Sequence, residues 1–215
     1  MAEVLVTLGI IGVVSAMTVP TLVQNYQRKS FVTQLRKVTS ELSQAAERYK
    51  SDNNYISLKE SRIIGNREEL NRFVKTYFKV VKDCAGSYVP CFANSYEKIE
   101  SNDTVTLASH ACWATVVLAS GAAVCFDTGN YEANKADKDV NNDGKIDDDD
   151  IIYNNGLNEG AAMSIEIDVN GLQGPNIIGR DLFFVDITAD GTVIDAEGGN
   201  GYFGQIVNAG WEMNY

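Results

Sequence analysis

Along the first stretch of the chain, apolar positions do not alternate with polar ones. From residue 4 to residue 26 no side chain is charged, and Val4, Leu5, Val6, Leu8, Ile10, Ile11, Val13, Val14, Met17, Val19, Leu22 and Val23 cover every face of a helix. About 20 such residues in helical form span the hydrocarbon core of a bilayer. The pattern then changes. Phe31, Leu35, Val38, Leu42, Ala45 and Tyr49 recur at steps of three and four, with Arg28, Lys29, Arg36, Lys37, Glu41, Glu47 and Arg48 between them. That is the stripe of an amphipathic helix with one buried side. A single helical spine is predicted over 1–53. Its first half requires lipid or other helices all round, and its second half requires a packed domain on one side and water on the other.

Beyond the spine, residues 54–215 predict one folded head. Residues 67–82 read as helix, with Leu70, Phe73, Val74, Tyr77, Phe78 and Val81 on one side. After Trp113 the texture is that of strands, at 113–118, 122–126, 163–169, 182–187 and 192–194. Turns are signalled by Ser120-Gly121 and Asp190-Gly191. Helices first and an antiparallel sheet later give an α+β class, a long N-terminal helix packed on a small antiparallel sheet.

Length and charge narrow the function. At 215 residues the chain holds one anchor or filament helix and one domain with a core. A net charge of −11 argues against a grip on duplex nucleic acid, which needs clustered Lys and Arg to release counterions. A secretory signal peptide opens on basic residues and has a shorter apolar stretch; this segment opens on Glu3. The four cysteines form two close pairs, Cys84 with Cys91 and Cys112 with Cys125, neither with metal-type CxxC spacing. Two disulfides, and hence an oxidising compartment, are the simplest expectation; four reduced buried thiols are the alternative.

The most specific chemical pattern is Asp139-Val-Asn-Asn-Asp-Gly-Lys-Ile-Asp-Asp-Asp-Asp150. Alternating oxygen donors around a central glycine suit calcium, which takes six to eight oxygens. Asp139, Asn141 and Asp143 would give side chains, Lys145 its backbone carbonyl, Asp147 a direct or water-bridged ligand, and Asp150 the closing carboxylate. With Asp in the closing place, the stretch resembles a dockerin calcium loop more than one of the calmodulin type. It would sit as an insertion, about 137–152, between the strands at 122–126 and 163–169. A solvated acidic turn has the same composition. Asp168, Asn170 and Asp181 form a second acidic group, open to metal binding or to capping of a turn.

Other signals carry less. Residues 199–204 match GxGxxG, but too little chain follows for a dinucleotide fold, so a glycine-rich loop is expected. His110 is the sole histidine and has no accompanying nucleophile motif, and no two acids stand out as a glycosidase pair. Asn102-Asp103-Thr104 fits a glycosylation sequon only weakly. No catalytic set emerges.

The N-terminal run from Ala2 through Glu3 to Pro20 resembles the signature of type IV pilins and type II secretion pseudopilins. The resemblance extends to the stretches 167–171, 174–176, 179–181 and 184–187, and to the ending Gly210-Trp211-Glu212-Met213. It covers the first fifty or so residues and much of the last fifty. It implies an inner-membrane anchor before assembly, an exported head, and partners that are copies of this chain or other pilin-like subunits together with inner-membrane assembly machinery. Glu3 falls at the family's glutamate, which pairs with a neighbour's N-terminal amine; its other reading is a first-turn acid favoured by the helix dipole. Pro20 falls at the helix-bending proline and is expected to kink or locally melt the helix, while Gly9 and Gly12 permit close helix approach. Where the family has Phe-Thr-Leu and, before it, a glycine-ended basic leader, Met1 stands, so leader processing and N-methylation are implied by resemblance alone. A membrane-tethered, calcium-dependent adhesin or minor pilin is the competing expectation.

Overall fold

The computed structural model describes residues 2–101, 103–107, 112–128, 161–196 and 201–215. Helix α1 runs from Ala2 to Asn53 without interruption. Its second half is amphipathic as expected, and Phe31, Val32, Leu35, Val38, Leu42, Ala45, Ala46 and Tyr49 are all buried. A short 3-10 turn, Leu58–Glu60, leads to α2, Arg67–Tyr77. Asn66 caps α2 by accepting hydrogen bonds from the amides of Glu68 and Glu69, both at 3.1 Å.

Helix α2 packs against α1 through aromatic contacts. The Tyr49 ring lies 5.3 Å from Phe73 in an edge-on arrangement, and the Tyr49 hydroxyl donates to Glu69 at 2.9 Å. The helix predicted over 67–82 is shorter than expected. It stops at Tyr77, and the rest of that stretch becomes strand β1, Val80–Asp83, paired antiparallel with the strand Ala114–Leu118. Val80 and Val81 are β-branched, and a free sheet edge offers them partners that a further helical turn would not.

The remaining strands are β2 Ser95–Lys98, β3 Thr104–Thr106, β4 Ala114–Leu118, β5 Ala123–Asp127, β6 Ala161–Asp168, β7 Ile177–Ile178, β8 Leu182–Thr188 and β9 Val193–Asp195. They form one sheet in the order β1-β4-β5-β6-β8-β7-β2-β3, with β9 also paired to β8. The class is α+β. The sheet is mixed rather than antiparallel throughout, because two-residue β7 pairs parallel with both β2 and β8. So short a strand has no periodicity to read, and β2 and β3 were likewise not anticipated. The glycine-rich stretch also differs from expectation, since Gly201 leads directly into helix α3, Tyr202–Asn208.

The spine holds the sheet through the β8–β9 turn. Ser43 donates to the Gly191 carbonyl at 2.9 Å, and buried Lys50 donates to the Asp190 carbonyl while pairing with Glu47 at 2.9 Å.

Candidate functional site

Three places concentrate unusual chemistry: the bare half of α1, the disulfide-braced hairpin, and the acidic turn after β6.

Among the described residues, nothing in the head covers the apolar side chains of the first half of α1. Val4, Ile10, Met17 and Leu22 are 60%, 60%, 73% and 66% exposed, whereas Leu35, Val38 and Leu42 on the same helix are fully buried. This is one helix long and apolar enough to cross a membrane. Its threonines are satisfied internally, Thr7 donating to the Glu3 carbonyl at 3.1 Å and Thr18 to that of Val14 at 2.9 Å. Glu3 stands exposed in the first turn. Gly9 and Gly12 share a face, and a methyl group added at either meets nothing within 4 Å, so that face is open to a neighbour. Local melting at Pro20 does not occur. The helix continues through it, although Pro20 has no amide proton to offer the Ala16 carbonyl.

Both predicted disulfides are formed. Cys84–Cys91 spans a Cα separation of 6.2 Å and encloses the fully buried Tyr88, which stacks on Phe92 at 4.1 Å. Cys112–Cys125, with Cα atoms 5.8 Å apart, ties the entry of β4 to β5. Glu166 lies beside the second bridge, but oxidised sulfurs offer no thiolate to a metal.

The acidic group at 168–181 is a turn clamp. Asp168 and Asp181 are both fully buried. Asp181 accepts from the amides of Asn176 at 2.7 Å and Ile177 at 2.6 Å, one per oxygen. Asp168 accepts from the Asn170 amide at 3.1 Å and from the Tyr96 hydroxyl at 2.6 Å. The Asn170 side-chain amide donates to the carbonyls of Gln173 and Gly174. Both carboxylates thus fix the loop that delivers β7 to the sheet, as the capping reading expects. Burial pushes the Asp168 carboxyl up to about 8, the Tyr96 bond opposing and the nearby Asp181 adding to the shift. Burial also raises Asp181, against the pull of its backbone amides. Gly179 completes the turn at φ +85°, where a Cβ would lie 2.6 Å from the Tyr202 ring. Tyr215 donates to the Gly179 carbonyl at 2.9 Å.

Sequence reasoning missed Tyr96 in this cluster. It lies 72 positions from Asp168, in a strand with no strong alternation. The predicted calcium ligands Asp139, Asn141, Asp143, Lys145, Asp147 and Asp150 lie outside the described residues, as do Asn102, His110, Gly199 and Asn200.

Comparison with protein-family models, curated proteins and solved structures finds no match to this chain.

Proposed function

We propose that this chain is a structural subunit of a type IV pilus or type II secretion-like filament, held in the inner membrane by α1 before assembly, with its head exported. The observation that carries this reading is the division of one uninterrupted 52-residue helix into an uncovered apolar half and a half that forms the core of the head. An uncovered apolar helix is stable only in lipid or among other helices. The same segment can therefore serve as anchor first and as filament core later. The two disulfides support an exported head, since they persist in oxidising compartments.

Glu3 has the central role in this reading. Its carboxylate enters an apolar bundle and needs a cationic partner, because an unpaired buried charge costs several kcal/mol. The neighbour's N-terminal amine supplies one. Electron microscopy of the assembled protein tests the proposal: the natural chain gives periodic helical filaments, and Glu3→Ala gives few or none while the head keeps its melting temperature. Filaments unchanged by Glu3→Ala would refute the pairing role. A stable monomer that binds a surface ligand would favour the tethered adhesin instead.

Calcium in the 139–150 loop belongs to the same proposal, on the strength of its oxygen spacing. Free calcium at about 100 times the dissociation constant adds about 2.7 kcal/mol by mass action. A chelator then lowers the melting temperature of the natural chain by several degrees and leaves Asp139→Ala unaffected. Identical melting curves with and without calcium would remove the ion from the account.

A further inference from the structure

The bare half of α1 ends where the head's C-terminal tail comes against the helix, and this junction has a charge opposite to that of the whole chain. Asn25, Arg28 and Lys29 form one wall of a groove, and Trp211, Glu212 and Asn214 form the other. Two cations face one carboxylate there, in a protein whose net charge is −11. The Nε of Arg28 is buried and has no hydrogen-bond partner among the described residues. Arg28 as a whole is half-buried and Lys29 is exposed, so the groove presents their charge to solvent.

The tail wall is held firmly. Helix α3 closes with Gly210 at φ +72°, the Gly210 amide donating to the Val207 carbonyl at 3.0 Å and the Trp211 amide to that of Ile206 at 2.8 Å. This is the paired-bond ending that glycine permits after a helix. The Trp211 ring is then fixed between Phe203, 6.0 Å away and edge-on, and the Arg36 guanidinium 5.5 Å from its centroid. Tyr26, two positions before the first charge at Arg28, is 75% exposed on α1.

From residue 4 to residue 26 the helix rises about 33 Å, close to the hydrocarbon thickness of a bilayer. With that segment in lipid, the groove falls at the level where phosphates lie and where Tyr, Trp, Lys and Arg concentrate. We infer that the groove is a headgroup site for an anionic phospholipid. The lipid phosphate accepts hydrogen bonds from Arg28 and Lys29, Tyr26 rests at the glycerol level, and Trp211 lies on the far side of Arg28 in the headgroup layer, so that the tail sets the depth of the spine. The inference rests on the membrane-anchor reading and adds the lipid chemistry and the residues that recognise it.

The test uses the full chain with Trp113→Phe, which leaves Trp211 as the only tryptophan. It is reconstituted into vesicles of phosphatidylcholine, with or without phosphatidylglycerol, carrying lipids brominated near the headgroup or near the chain end. Shallow bromines are expected to quench Trp211 strongly and deep ones weakly. Phosphatidylglycerol is expected to strengthen binding, and Arg28→Gln and Lys29→Gln each to reduce that gain by about fivefold, from about 1 kcal/mol per cation near an anionic surface. Arg28→Lys should retain most of it. Trp211→Phe in the natural background is the second variant and should abolish the shallow quenching. If the chain floats with vesicles but Trp211 is unquenched and phosphatidylglycerol makes no difference, the headgroup site is wrong and the anchor stands. If the chain does not float with vesicles at all, both fall.

Discussion

Asp168 is the residue that most separates what a motif suggests from what a fold does with it. In the sequence it belongs to a trio of oxygen-bearing side chains that suits a cation or a turn equally well. In the structure its two oxygens accept from a backbone amide and from Tyr96, and its full burial raises its pKa to about 8. An unfolded aspartate titrates near about 3.9. Between these values the folded protein holds a proton that the unfolded chain releases, so this group's contribution is complete below the lower value and is lost as pH rises through the upper one. The head is therefore expected to melt at a lower temperature at pH 8 than at pH 5, by at least about 2 °C. Asp168→Asn, which mimics the protonated acid, should shrink that slope in calorimetric scans. It should not abolish the slope, because burial raises Asp181 and Asp195 as well. Asp83 and Asp190 are shifted down, by hydrogen bonds from Ala85 and Thr188 respectively, and lose their charge at pH values below this window. A slope equal in the natural chain and in Asp168→Asn would mean that the buried acid is ionised throughout.

Among the elements, α1 was fully legible because its signal is local and repeated over many turns. The change at residues 27–31 from all-round apolarity to a one-sided stripe is also where burial begins, at Phe31. Since no described core side chain precedes Phe31, deleting residues 1–26 should leave a head that is monodisperse in water without detergent, with a melting temperature within about 2 °C of the full chain's. Collapse of the head after this deletion would show that the bare segment has a structural role. The hairpin β4–β5 was legible for the same reason, its turn at Ser120-Gly121 lying between two β-rich runs joined by a disulfide. Helix α2 was overextended because its apolar spacing runs on into β1, and helical spacing over a few residues does not exclude a strand. Strand β7 left no trace, being only Ile177–Ile178, held in place by the amides that Asp181 captures.

For the whole molecule, the sequence by itself determined the two-part spine, the α+β class, the disulfide pairs and the local hairpins. These depend on periodicity and short-range closure, which a chain carries in the order of its residues. The tertiary structure alone decided the mixed strand order, the partner of Asp168 and the basic groove at the base of the head. Each joins residues far apart in the chain: 72 positions for Tyr96 and Asp168, 148 for Ser43 and Gly191, and the spine and the last residues of the head for Arg28 and Trp211. Such contacts are chosen by the packing of whole elements, in which burial drives association and hydrogen-bonding groups must then find whatever partners the packing brings within reach. A stretch of sequence read on its own holds one side of each of those pairs.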